Sequence, residues 1–432
     1  MERIEVEITG LGHEGEGVGR AAGIVTFVAG ALPGETALAE VVERKKSFQR
    51  CRLVKVLRPS AQRATPPCSV FAECGGCQVQ HMSYEDTLEW KRLRVDDTLQ
   101  RIGKLEGVKV NPVLGMENPW RYRNKVQLQA GILDGKTVLG YYSHKTRRLV
   151  RFSDCLLVPP LFNQLRDFLE GFLARHIKPG KLEHVVLRYS PVSGEVMAGF
   201  VGDLPDAPWG EIPRDFAQVK SVVIADPKSG RVRVGAGSSE IRDQIYGRDF
   251  TLSFHSFVQV NPAQTWVLYQ KALEHAGLTG AERVVDAYCG IGTITLALAG
   301  AAKEVIGVEV SEQAVQDARE NARLNRVENA VFYASPAEEI LPRLAAEGQR
   351  ASVVVVDPPR RGCEEEALRA IVEMGPERIV YVSCDPATLA RDLARLQPEG
   401  YWPSEVQPMD MFPWTAHVES IIMMTYSGQK GK

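Results

Sequence analysis

Two side chains near the end of the chain could do covalent chemistry together. Cys384 follows the apolar run Ile379–Ser383 and precedes Asp385-Pro386, after which Ala387–Arg395 is patterned as a helix. Proline suits a first helical turn. A thiol at a helix N-terminus has its thiolate stabilised by unpaired amides and the helix dipole. That would favour a nucleophile over free cysteine, whose pKa is about 8.5. A buried structural cysteine is the plainer reading, and position after a strand decides against it. Glu419 lies in Phe412–Ser420, just before the apolar run Ile421–Thr425. Period-two alternation puts it on one face with His417. A carboxylate on an apolar strand is a candidate general base; the residues alone leave an ordinary glutamate equally open.

What these two side chains would act with is read from Val284–Glu309, VVDAYCGIGTITLALAGAAKEVIGVE. Two apolar runs, Arg283–Val285 and Glu304–Val308, read as buried parallel strands. Gly290 and Gly292 make a tight turn into a helix over Thr293–Ala301. An acid ending the second strand, here Glu309, is placed to hold the ribose hydroxyls of an adenosine cofactor. A dinucleotide fingerprint would want a third glycine at Thr295. Instead Asp286 precedes the turn in a D-x-x-x-G-x-G spacing, which suits the ammonium end of S-adenosylmethionine. Further strands at Ser352–Val356 and Ile379–Ser383 end at Asp357 and Cys384. In a doubly wound sheet the ligand crevice lies at the carboxyl ends of the strands. Asp286, Glu309, Asp357 and Cys384 are therefore expected to converge.

A methyl donor, a thiol and a carboxylate base suit methylation of a pyrimidine at C5. C5 of uracil is a weak nucleophile until a thiolate adds at C6; a base then removes the C5 proton and the thiolate leaves.

A second cysteine set stands apart. Cys68, Cys74 and Cys77 fall within ten residues, with Gly75 and Gly76 for tight turning, and Cys155 is the natural fourth ligand. Such a quartet holds zinc or an iron–sulfur cluster, and spacing does not choose between them. The C-x-x-x-x-x-C-x-x-C spacing departs from the C-x-x-x-C-x-x-C of radical S-adenosylmethionine enzymes.

The elements that position these residues read as a two-to-four-domain chain of 432 residues. Residues 1–59 alternate in short runs between glycine turns, as in a small OB-type barrel. Its last part carries Arg44, Lys45, Lys46, Arg50, Arg52, Lys55, Arg58 and Arg63, opposed locally by Glu43 alone; that density suits RNA phosphates. Residues 60–250 open with the cysteines. Ser83-Tyr84-Glu85-Asp86 reads as a capping box for a helix to about Lys104, with Leu88, Val95, Leu99 and Ile102 on its core face. That helix could pack on the last domain. Strands follow, with a turn at Asp134-Gly135. Within Trp120–Arg151, cations including Lys145 alternate with Tyr122, Tyr141, Tyr142 and Phe152, a pattern suited to stacked single-stranded RNA. Residues 251–432 alternate strands and helices, giving a mostly parallel sheet. A net charge of −2 excludes a globally basic nucleic-acid binder. The first residues lack a signal-peptide stretch, and no run nears the roughly 18 apolar residues of a membrane helix. The expectation is a cytoplasmic protein with no membrane partner.

With these residues in view, the chain resembles the RNA uracil-5-methyltransferases of the RumA/RlmD type along essentially its whole length. FVQVN, DAYCGIGT, DPPRRG, SCDPATLARDL and FPWTAHVE look like that family's motifs. The resemblance implies a Rossmann-like class I methyltransferase domain at the C-terminus, a TRAM barrel at the N-terminus and a mostly β central domain. It implies Cys384 as nucleophile, Glu419 as base, and Gln259, Tyr288, Glu309 and Asp357 at the S-adenosylmethionine site. It implies a [4Fe–4S] cluster on Cys68, Cys74, Cys77 and Cys155, and a monomer. The barrel and the cysteines favour 23S rRNA as substrate over tRNA uracil-54. A non-catalytic RNA-binding iron–sulfur protein is the alternative from another class. Cys363, beside DPPRRG, matches no family position and is expected to be a bystander.

Overall fold

The structure is a computed structural model that describes residues 2–144 and 146–428; Lys145 lies outside the described residues. Strands β1 (Arg3–Leu11), β2 (Gly17–Ala21), β3 (Ile24–Ala29), β4 (Thr36–Arg44) and β5 (Phe48–Arg58) close into a barrel in the order β1-β2-β3-β5-β4. Alternate residues Val6, Ile8, Val28, Ala37, Ala39 and Cys51 fill it. Closure leaves no open edge. The basic run is not opposed by Glu43 alone, because acids from other parts of the barrel answer it. Arg44 pairs with Glu2 at 3.0 Å, Arg50 with Glu16 at 3.5 Å and Arg58 with Glu7 at 3.3 Å. Arg52 pairs with Glu40. Arg63 reaches the fully buried Glu35 at 2.5 Å and ties the barrel to the next segment. Among the described residues, Lys46 and Lys55 make no ion pair.

Helix α1 (Tyr84–Thr98) starts where the capping pattern puts it. The Ser83 side chain accepts from the Asp86 amide at 3.2 Å. Aspartate is too short to close a full box: its carboxylate takes the Ser83 hydroxyl at 2.5 Å, and the Ser83 N–H goes to the Gln62 carbonyl. A π-turn at Leu99–Gly103 then slips the register. Val95 and Leu99 stay buried, whereas Ile102 is 51% exposed, so it is no core residue.

The middle of the chain forms one sheet from β6 (Lys125–Leu133), β7 (Lys136–Tyr142), β8 (Leu149–Val150), β9 (Leu182–Tyr189), β10 (Val196–Gly202), β11 (Val219–Ala225) and β12 (Val232–Gly237). Its order is β12-β11-β10-β9-β6-β7-β8, with helix α2 (Pro160–His176) packed on it. Asp134 and Gly135, both at positive φ, turn β6 into β7 as expected. The hairpin β13 (Ile241–Ile245) and β14 (Arg248–Leu252) leads into α3 (Pro262–Ala276).

The last sheet holds β15 (Arg283–Ala287), β16 (Glu304–Glu309), β17 (Ala330–Ala334), β18 (Val353–Val356), β19 (Arg378–Ser383), β20 (Tyr401–Met409) and β21 (Glu419–Tyr426). Their order is β17-β16-β15-β18-β19-β21-β20. The first five are parallel; β21 runs antiparallel to β19 and to β20. Valines 284, 353 and 355 face one core and valines 285, 354 and 356 the other. Burial on both faces explains why these strands read as unbroken apolar runs. The chain moves outward from β15 through β17 and restarts at β18 on the other side, so the switch point lies between β15 and β18.

Candidate active site and a cysteine-lined cavity

The turn after β15 is held by bonds to two acids. Asp286 sits inside the strand, and its carboxylate accepts the Thr295 hydroxyl at 2.5 Å. The residue that replaces a dinucleotide site's third glycine therefore anchors the acid. The other Asp286 oxygen, Oδ1, is buried with no hydrogen-bond partner among the described residues. Burial, with Asp357 nearby, pushes its carboxyl up to about 7. Tyr288 takes φ 68°, a left-handed conformation rare outside glycine. Gly290 is at φ 55°, and an added Cβ would meet nothing within 4 Å, so the backbone here is open to close approach. Glu309 ends β16 and accepts from the amides of Gly290 at 3.1 Å and Ser311 at 2.9 Å. Gln259, Asp286, Tyr288, Gly290 and Asp357 line one narrow cavity of about 40 Å³. The helix beyond it, α4 (Thr293–Ala299), is a little shorter than its sequence pattern.

Cys384 lies between β19 and helix α5 (Pro386–Leu396). The helix does not stabilise its thiolate as expected. Asp385 is the N-cap, and its carboxylate accepts from the Ala387 and Thr388 amides at 2.8 and 3.3 Å. The free amides are thus spent on a neighbouring acid. Burial, then the Glu419 and Asp357 carboxylates, push the Cys384 thiol up to about 11. Arg360 is the cation that opposes this shift.

Glu419 opens β21 and is almost wholly buried, and its Oε1 has no hydrogen-bond partner among the described residues. Burial raises its carboxyl well above the ordinary range, and nearby Asp357 adds to this. Asp357 is itself raised to about 6 by burial. His417 precedes the strand, so the expected alternation begins only at Glu419. Its ring lies 2.9 Å from Arg360 Nη2. Burial and Arg360 hold its pKa down to about 4, so it meets the guanidinium as a neutral acceptor.

The four cysteines of the second set come together. Cys68, Cys74, Cys77 and Cys155 line a cavity of about 270 Å³ beside Tyr141, Phe152 and Arg123. All are free thiols. Burial pushes Cys77 up to about 12 and raises Cys74 and Cys155. Among the described residues, no three ligating side chains converge tightly enough for a single ion. Much of the stretch read as an RNA face is engaged in contacts within the protein, part of them on this wall. Tyr141 stacks on Phe152 at 4.9 Å, and Tyr122 is buried with its hydroxyl on the Pro413 carbonyl. Arg121 pairs with Asp154 at 2.6 Å and donates to the Cys155 carbonyl at 2.7 Å. Arg148 pairs with Glu73 and Arg151 with Glu170. Tyr142 remains exposed.

The tRNA (Uracil-5-)-methyltransferase family pattern matches residues 217–427, and the TRAM domain pattern matches residues 1–54. An uncharacterized RNA methyltransferase of Halalkalibacterium halodurans is 43% identical, covering 98% of this chain and 96% of its own. One of Caldanaerobacter subterraneus is also 43% identical, covering 98% of both. The chain belongs to the RNA uracil-5-methyltransferase family. Among solved structures, the Pyrococcus abyssi tRNA (uracil-54, C5)-methyltransferase in complex with S-adenosyl-L-homocysteine is 28% identical. It superposes with a TM-score of 0.78 over 98% of this chain and all of its own. An S-adenosylmethionine-dependent methyltransferase fold and an N-terminal TRAM barrel are thereby established.

In this methyltransferase one feature escaped sequence reading, and Cys363 takes the bystander's place expected of it. Arg360, within the DPPRRG motif, joins the Cys384 side of the site to His417; a cation beside an acidic strand end was the available signal. Cys363 is buried, its amide on Asp392 at 2.9 Å, with its thiol in hydrogen-bonding reach of the Tyr288 and Tyr381 hydroxyls. It packs behind the turn that follows β15, which is a structural place. Among the described residues, no helix is long and apolar enough to cross a membrane.

Proposed function

We propose that this methyltransferase transfers a methyl group from S-adenosylmethionine to C5 of a uridine in 23S rRNA through a covalent Cys384 adduct. The observation that carries the reading is a free thiol and a buried carboxylate within electrostatic reach of each other beside Asp357 of the cofactor cavity. Asp286, with a buried unpartnered oxygen, suits the ammonium of the methyl donor. Glu309 suits its ribose, and Gln259, Tyr288, Gly290 and Asp357 enclose the narrow part between. The donor supplies an electrophilic methyl on a cationic sulfur.

Cys384, once its thiol has lost its proton to solvent, bonds as thiolate to C6 of the flipped-out uracil, and the C5=C6 electrons move onto C5 and the C4 carbonyl. C5 takes the methyl as its bond to the donor's sulfur breaks, the bonding pair staying on that sulfur. Glu419 then accepts the C5 proton, its electron pair re-forms C5=C6, and the C6–S bond breaks to return the thiolate. A raised carboxyl is a fitting base here, since its appetite for a proton is strong once ionised.

The cysteine cavity is read as the site of a [4Fe–4S] cluster. Its donors are four cysteine sulfurs on one cavity, the ligand set of a cluster, with zinc as the alternative for the same donors. A cluster there would tie Cys68–Cys77 to Cys155. Methyl transfer involves no net electron flow, so its role is architectural. The barrel and this cavity support rRNA; likeness to a tRNA enzyme over the whole chain supports tRNA uracil-54 as the second reading. Labelled methyl transfer to unmodified 23S rRNA and tRNA transcripts in parallel decides. Label in rRNA alone is expected, and label in tRNA alone replaces the substrate.

A further inference from the structure

The Glu419 carboxylate is buried with one oxygen unpartnered, so its aim depends on the backbone leading to it. That backbone is gripped from the cysteine cavity. Gln78, directly after Cys77, is bonded in three directions. Its amide donates to the Trp414 carbonyl at 2.9 Å, which also receives the Val79 amide at 3.2 Å. Its side-chain Oε1 accepts from the Ala416 amide at 3.2 Å. Its Nε2 donates to the Gly75 carbonyl at 2.9 Å, inside the turn between Cys74 and Cys77. On the other side of this backbone, Trp120 stacks on Trp414 at 4.4 Å, and the Trp414 indole donates to the Pro119 carbonyl at 3.1 Å. The neighbouring Arg121 holds the Cys155 carbonyl.

We propose that Gln78 is a positioning residue for the reaction: it carries the set of the cysteine loop into Trp414–Ala416 and so aims Glu419 at the C5 proton. This rests on the reading of Glu419 as base. Methyl transfer to the adduct needs Cys384 and the donor only. Removal of the C5 proton, with return of its electron pair to C5=C6 and release of the sulfur, needs Glu419 in place. A misaimed base therefore leaves the methylated adduct on the enzyme.

The test uses the whole enzyme with its cysteine site loaded, a 23S rRNA transcript carrying C5-tritiated uridine, and S-adenosylmethionine. Denaturing quench then reads protein-bound methylated RNA against released tritium. Gln78→Met keeps the length and loses the side-chain bonds; Gln78→Glu keeps the acceptor for Ala416. We expect Gln78→Met to methylate RNA while releasing tritium about tenfold more slowly, the factor that about 1.4 kcal/mol of lost positioning gives, and to accumulate adduct. Gln78→Glu, which keeps the acceptor for Ala416 but cannot donate to the Gly75 carbonyl, should fall between wild type and Gln78→Met. Gln78→Asn, too short to reach Ala416, gives the same partition if Gln78→Met does not fold. A Gln78→Met enzyme with wild-type release and no adduct overturns the proposal, as does loss of methyl transfer and release together. A wild-type enzyme that forms no adduct and releases no tritium overturns the underlying reading, and the two failures are told apart by that control.

Discussion

Lys91 on α1 and Asp410 after β20 meet at 2.5 Å with both side chains wholly out of solvent. Tyr84 donates to the second Asp410 oxygen at 2.8 Å, and Lys91 also donates to the Phe412 carbonyl at 3.2 Å. Removing one partner strands a buried charge, which costs about 3–5 kcal/mol. Lys91→Met should therefore lower the melting temperature markedly, and Lys91→Met with Asp410→Leu should recover part of the loss. Thermal unfolding of both variants checks this; equal loss in the double variant would mean that packing, not charge, is at stake.

The pH response of Cys384 follows from its neighbours. With its thiol pushed up to about 11, alkylation should rise about tenfold per pH unit from pH 7 to near 10. Asp385→Asn keeps the N-cap and removes a negative charge, so the alkylation midpoint should move down. Rates of iodoacetamide labelling, followed by mass spectrometry at Cys384, give the profile; an unchanged midpoint would remove Asp385 from the account.

Asp286 predicts a pH-dependent cofactor affinity. Its carboxyl titrates near 7 in the free protein, and the bound ammonium needs the ionised form. Affinity should fall as pH drops from 8 to 6, and Asp286→Asn should weaken binding about tenfold or more and abolish the pH slope. Calorimetry with S-adenosylhomocysteine at both pH values measures it.

The cysteine cavity makes a compositional prediction. The purified protein should contain iron and acid-labile sulfide in equal amounts. Cys155→Ser should lose both and lower thermal stability and RNA affinity. Zinc in place of iron would contradict the cluster, and full RNA affinity and stability without metal would contradict the architectural role.

Much of this was legible in the sequence where local pattern and global burial agree. The valine runs of β15 and β18 read as strands because both faces are covered, and Asp286, Glu309, Asp357 and Cys384 lie at the ends of β15, β16, β18 and β19 as the doubly wound rule requires. What failed depended on partners distant in sequence or on single hydrogen bonds. The acids that answer Arg50 and Arg58 come from the loop before β2 and from β1. One slipped turn exposes Ile102. Asp385 takes the amides meant for the Cys384 thiolate. The Lys91–Asp410 pair spans most of the chain, and no local signal marks it.

In the proposed reaction Cys384 activates C5 of uracil. The direct measurement is tritium release from C5-tritiated uridine in 23S rRNA, by wild type and by Cys384→Ala, with RNA binding measured alongside. Wild type should release one tritium for each methyl transferred, while Cys384→Ala binds RNA and releases none. Release by Cys384→Ala, or methyl transfer by wild type without tritium release, would contradict it.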